Sequence, residues 1–339
     1  MHLFWSALGF AVSAIAPILI YMILGYVLRC VFIKEDAFWK KMNKLVFRVF
    51  LSVLLFVNVY DVKEFSDINI KGLLLIVFTV LVLMGVGGIA ALFVRDRKKK
   101  GVIWQVTYRS NYAVVGIPLA ESIGGNSAVT FASLVSVVTI PIYNTVSVFL
   151  LTFFSHDKEH KGKLGKTLLS VITNPLILGV VAGLVVLVIR AILPTNAAGD
   201  PVFSIKEHLT PVYSVLSAIA KASSPLALIV LGARFDFKAL KNALSALSFG
   251  TLLRIIVSPV ISLGIGLLAD ISGLIPVGPA EYATLVALGG TPVAVSSSVM
   301  VSELGGDEAL ASALVASTSL FSMLTLTVII TVLRACGLV

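Results

Sequence analysis

Long apolar runs separated by short basic clusters make up nearly the whole of this chain of 339 residues. Ten runs reach the roughly 20 residues that a helix needs to cross a bilayer core: residues 7–29, 38–60, 70–93, 102–124, 127–154, 167–193, 209–232, 242–269, 281–302 and 308–334. They predict an all-α membrane protein of ten transmembrane helices. The first run has no basic leader and is too long for a signal-peptide core, so it reads as a retained span.

The charges between the runs orient them. With the N-terminus outside, the inner connections hold Arg29, Lys34, Lys40, Lys41, Lys44, Arg48, Arg95, Arg97, Lys98, Lys99, Lys100, Lys158, Lys161, Lys163, Lys166, Arg234, Lys238 and Lys241, which is 18 basic residues. The outer side holds 5: Lys63, Lys71, Arg190, Lys206 and Arg334. The positive-inside rule then puts both termini outside, in a multi-pass protein of the cell membrane. Only the connection with Glu303, Asp307 and Glu308 departs from the trend, and acids count for little in that rule.

Ten spans divide into five and five, over 1–160 and 161–339, and an odd number of spans per half makes the second half enter the membrane inverted. Two internal likenesses support a duplication. "APILIYMILGYV" from Ala16 and "NPLILGVVAGLV" from Asn174 share a Pro followed eight residues later by Gly; "IGGNSAVTFAS" from Ile123 and "LGGDEALASAL" from Leu304 share a double glycine. Inverted repeats point to an alternating-access transporter with its site near the midplane.

Within the runs, polar residues and helix breakers are few enough to be read one by one. In "RSNYAVVGIPLAES", Arg109–Ser122, Gly116 and Pro118 predict a break in the fourth helix. In "LGGTPVAVSSSVM", Leu288–Met300, Gly289, Gly290 and Pro292 predict its counterpart in the ninth. Interrupted helices at matching places expose half-helix N-termini, which suit an anion such as a carboxylate. Asn111 and the hydroxyls of Ser296, Ser297 and Ser298 are candidates for directional hydrogen bonds. Arg109, Lys221 and Arg254 are intramembrane cations with no obvious acidic partner, each costing about 2.5–3.5 kcal/mol on insertion scales. They are candidates for anion attraction, with inward snorkelling open for Arg109 and the place of a structural cation open for Lys221.

Composition narrows the classes. Hydrophobic residues make up 58% and charged residues 13%, with mean hydropathy +1.04. The formal charge of +9 lies in loop clusters, a topological pattern that argues against nucleic acid. Cys30 and Cys336 have no metal-site spacing, and His2, His156, His160 and His208 all fall in termini or connections, so no cofactor, metal or enzymatic set is expected.

"NYAVVGIPLA", "PIYNTVSVFLL" (Pro141–Leu151), "SPLALIVLGARF" (Ser224–Phe235), "LRIIVSP" (Leu253–Pro259) and "TPVAVSSSVMVSELGGDEALAS" together resemble the auxin efflux carrier family, whose bacterial members are often called malate permeases. The likeness runs in order over nearly the whole chain. It implies a fold like that of sodium/proton antiporters and bile acid symporters, with helices 4 and 9 crossing at their breaks. It also implies a scaffold of helices 1, 2, 6 and 7 and a moving transport domain of helices 3–5 and 8–10. By it, Asn111 and Pro118 belong to one crossover and Pro292, Ser296 and Ser297 to the other; Tyr112 and Gly116, in the same stretch as Asn111, are also candidate substrate-binding residues. The chain departs in carrying serines where many members place an amide or a second proline, in Lys221, and in the short connection between helices 5 and 6. The expectation is a secondary transporter of a small carboxylate, malate-like or auxin-like, working by an elevator-type shift. Proton or sodium is a candidate coupling ion and a homodimer a candidate assembly. The alternative is a cation/proton antiporter or a sodium-coupled symporter of another small solute.

Overall fold

The computed structural model describes residues 2–61, 69–154, 173, 175–192, 194, 203–235 and 244–339. Of the basic residues counted above, Lys63, Lys158, Lys161, Lys163, Lys166, Lys238 and Lys241 lie outside these, as do the first residues of the sixth expected span. Among the described residues the protein is all-helical, with no strand and a single isolated backbone bridge, Ser110 to Val293.

The helices in chain order are α1 (His2–Val31), α2 (Asp36–Leu45), α3 (Leu51–Tyr60), α4 (Ile70–Leu92), α5 (Arg97–Tyr108), α6 (Ile117–Phe154), α7 (Pro175–Ile192), α8 (Ile205–His208), α9 (Thr210–Ala233), α10 (Leu244–Leu252), α11 (Ser258–Ile271), α12 (Pro279–Gly290), α13 (Ser296–Glu303) and α14 (Glu308–Ala335). Wide π turns at Val46–Phe50 and Leu253–Val257 join α2 to α3 and α10 to α11 into continuous rods, and a third, Tyr112–Gly116, leads into α6. Seven helical runs are long and apolar enough to cross a membrane, and α7 adds a shorter apolar helix. One of the seven, Tyr112–Phe154, has 43 residues. At 1.5 Å per residue that is about twice a bilayer core. It is interrupted at Gly125, where φ is 65° and ψ −151°, between the expected fourth and fifth spans.

Because lipid tails are as apolar as leucine, membrane helices associate by close packing rather than by escape from water, and small residues set how closely they approach. α1 packs along α9 and α14, α3 along α7 and α9, and α6 along α12. A Cβ at Gly25 of α1 would stand 1.9 Å from the Ile229 carbonyl oxygen of α9; one at Gly232 of α9 would stand 1.9 Å from that of Met22 in α1. The α3–α7 pair uses the same device, with Gly179 against the Ser52 carbonyl and Gly183 against Val59. Arginines tie the ends of both pairs. Arg29 of α1 donates to the Ala233 carbonyl at the end of α9 (3.1 Å) and pairs with Asp36 (2.9 Å); Arg190 of α7 donates to the Tyr60 carbonyl at the end of α3 (2.7 Å).

Gly232→Leu is therefore expected to push α1 and α9 apart and cost about 3 kcal/mol or more, seen as a melting temperature lower by at least roughly 5 °C in detergent. The check is a size-exclusion melting curve beside Gly9→Leu, whose added Cβ meets nothing within 4 Å. An equal effect from the two changes would contradict the packing argument.

Candidate functional site

The two interrupted helices meet. α5 ends at Tyr108, and Arg109–Asn111 are non-helical before the Tyr112–Gly116 turn starts the next half-helix. α12 ends at Gly290, and Thr291–Val295 are non-helical before α13. The two non-helical stretches pair antiparallel: Asn111 N–H donates to the Pro292 carbonyl (2.8 Å) and Ala294 N–H to the Arg109 carbonyl (3.1 Å). A third donor, Val293 N–H, finds the Thr318 hydroxyl of α14 at 3.1 Å.

Unpaired backbone groups are costly in the membrane interior, so each carbonyl at the crossing needs a partner. Arg254, fully buried in the Leu253–Val257 turn, supplies three of them. Its Nε donates to the Thr291 carbonyl (2.7 Å), Nη1 to that of Thr107 (2.9 Å) and Nη2 to that of Leu288 (2.6 Å). One guanidinium thus ties the C-terminal ends of both α5 and α12, where the helix dipoles are negative. The Ser258 hydroxyl adds a second bond to the Thr107 carbonyl (2.7 Å), and the Thr291 hydroxyl covers that of Ala287 (2.6 Å).

On the other side of the crossing, donors are left over. Arg109 is 2% exposed and donates to Asn144 Oδ1 (3.1 Å), to Ser296 Oγ at a long 3.4 Å and to the Met300 sulfur, while its Nε has no partner. Asn111 is 5% exposed with its Nδ2 unpaired, and no side chain caps the half-helix that it begins. These groups open on a cavity of ≈ 60 Å³ lined also by Tyr112, Tyr143, Asn144 and Ser296, and closed from the other helices by Phe47 and Leu176. No acidic residue lines it.

The structure thus brings Arg109, Asn111, Tyr112 and Ser296 together. Ser297 is buried nearby with its hydroxyl unpaired, and Ser298 is turned to its own helix, bonding the Val295 carbonyl (3.0 Å). Pro292 sits in the second break and gives its carbonyl to Asn111. Arg254 lies behind the crossing, bound to carbonyls and absent from the cavity wall. Lys221 is exposed on α9 and is not brought to the crossing. Gly116 and Pro118 do not break the fourth helix. The interruption comes earlier, at Arg109–Asn111, because that stretch has hydrogen-bond partners across the crossing. Gly116 instead lets the helix approach α12, since a Cβ there would lie 3.2 Å from the Ala287 carbonyl. Pro118 lies just past the wide Tyr112–Gly116 turn, and the helix runs on through it. Burial also excludes snorkelling for Arg109. Tyr143 and Asn144 were not singled out from the sequence; an amide inside an apolar run is the signal that points to Asn144.

Residues 10–330 match the family described as membrane transport protein. The chain belongs to that family, the auxin efflux carriers. It is a multi-pass membrane protein of a transporter family and not of an enzyme family. A relative in Methanothermobacter thermautotrophicus, described as an uncharacterized transporter, is 24% identical over 326 residues, covering 93% of this chain and 95% of that one.

Removing Arg254 is expected to destabilise this transporter severely. Arg254→Met would leave the Leu288 and Thr291 carbonyls unpaired at about 1–3 kcal/mol each, while Thr107 keeps Ser258. Arg254→Lys restores the charge without the planar fork, so only partial recovery is expected, and Ser258→Ala should cost about 1 kcal/mol. Melting curves of the three proteins should rank in the order Ser258→Ala, Arg254→Lys, Arg254→Met, from most to least stable.

Proposed function

We propose that the protein is a secondary transporter of a small organic anion, a mono- or dicarboxylate, that binds at the crossing of the interrupted helices. The observation that carries this is an asymmetry. The carbonyls at the crossing are occupied by protein donors, whereas the Nε of Arg109 and the Nδ2 of Asn111 are buried and unmatched beside a cavity with no acid. A carboxylate accepts from an arginine fork and an amide together, and charge-assisted bonds of this kind are the strong ones. Cation transport on the same fold is disfavoured, since no carboxylate lines this cavity and the Arg109 guanidinium beside it repels a cation.

We read the architecture as ten spans in two inverted repeats, with α1, α2–α3, α7 and α9 as scaffold and the rest as transport domain. Three pairs of features, each with one member in either half, support this. Gly25 packs on α9 as Gly183 packs on α3; Arg29 caps α9 as Arg190 caps α3; and Gly125 and Gly305 hold positive φ after the two broken helices. The cavity has about two water molecules' worth of space, so loading a whole substrate requires Phe47 and Leu176, on the scaffold side, to part from the crossing. An elevator-type shift does this. We read both termini as lying outside the cell membrane, a reading supported by the basic connections, with proton or sodium as the coupling ion to test.

Purified protein is expected to gain thermal stability with at least one small carboxylate, in a screen run with and without sodium and across pH. Arg109→Gln and Asn111→Ala are expected to remain folded and to lose that gain, with uptake into vesicles falling at least tenfold. Full stabilisation of both variants by the same acid would refute the assignment.

A further inference from the structure

A second cavity, of ≈ 140 Å³, lies on the other side of α13 from the first. The two are separated by the start of that short helix, with Ser296 facing one and Val295 and Ser298 the other. Its wall also includes Arg234, just past the end of α9, the α14 residues Ser312, Val315 and Ser319, and the apolar Leu231, Phe235 and Ala316. Arg234 is half-buried, and its side chain makes no hydrogen bond among the described residues. Among the described residues, the acid near enough to interact with it, Asp36, is already paired with Arg29 at 2.9 Å, so two guanidiniums share that carboxylate. The Ser298 and Ser319 hydroxyls bond carbonyls one turn back in their own helices, leaving their oxygens as weak acceptors and Ser312 as the free donor. A half-buried cation that only shares a carboxylate and faces hydroxyls across an open cavity attracts anions and repels cations.

We propose that this cavity is a second anion station, where a carboxylate held by Arg234 and Ser312 waits on its way to or from Arg109. The inference rests on the reading of the protein as an organic-anion carrier and adds to it a place on the access route and the residue that selects charge there. Arg234 sits in "SPLALIVLGARF", where its basic charge otherwise counts only toward membrane orientation. Two arginines on either side of one short helix give the solute a charged contact at each stage, so that it need not cross an apolar wall unpaired.

The test uses thiol labelling and is independent of the natural substrate. In the full-length protein with the exposed Cys30 and Cys336 replaced by serine, Ser312→Cys is reacted with anionic sulfonatoethyl methanethiosulfonate and with cationic trimethylammonioethyl methanethiosulfonate, each rate normalised to a small free thiol. The anionic reagent is expected to react about tenfold faster, and Arg234→Gln to bring the ratio close to one. Should Ser312→Cys fail to fold, Val315→Cys on the same wall gives the same readout. Equal rates, a ratio indifferent to Arg234→Gln, or thiols unreactive toward both reagents in folded protein would overturn the proposal. Arg109→Gln separates the two sites, since it is expected to abolish carboxylate stabilisation and leave the labelling ratio intact. A flat ratio with normal carboxylate stabilisation would remove this station and keep the central one.

Discussion

The crossing depends on a single buried guanidinium. Two helices that stop inside a membrane present two negative C-terminal ends to one another, each worth about half a unit charge, where no water can solvate them. Arg254 meets both ends with one full positive charge and three forked bonds, to the carbonyls of Thr107, Leu288 and Thr291, so the negative ends are offset by a built-in cation. The partial positive charges at the starts of the two following half-helices have no such permanent partner. The selectivity proposed for the site follows from that inequality: a protein cation is built in on one side, and a negative solute completes the other.

Around the crossing the helices are held by backbone contact. Gly25 and Gly232 let α1 and α9 touch carbonyl to backbone, and Gly179 and Gly183 do the same for α7 and α3. Such interfaces have no side-chain play, and arginines lock their ends to the neighbouring helix termini. The cavity wall is different in kind. Phe47 and Leu176 line it together with Tyr112, Ala113 and Ile140, with open space between. On the reading proposed above, this open part of the seam is where the two bodies part.

Much of this was legible in the chain, and the residues that misled did so for identifiable reasons. Span lengths follow from bilayer thickness, so the apolar runs mark the helices well. Asn111, Ser296 and Pro292 stand out because polar groups and prolines are rare at that depth, and all three lie at the crossing. Gly116 and Pro118 read as a break because breakers are judged without their surroundings, yet one serves close packing and the other is carried within a continuing helix. The true interruption needs partner groups in the other half of the chain for its hydrogen bonds, and no local pattern records that. Lys221 and Arg254 look alike in sequence, as single cations twelve residues into a span, but a difference in helix rotation leaves one exposed and the other wholly buried.

Arg109 differs from Arg254 in its partners rather than in its depth. An acid placed opposite it would give a paired buried ion and a closed site; an amide, a hydroxyl at long range and a thioether hold the guanidinium in place without neutralising it. The empty carrier therefore keeps an uncompensated charge beside two positive half-helix ends, and burying such a charge costs several kcal/mol. On the reading proposed above, a bound carboxylate cancels that charge, so the loaded transport domain crosses the bilayer interior at lower electrostatic cost than the empty one. The feature that makes the site attractive to an anion is then also what couples its movement to being occupied.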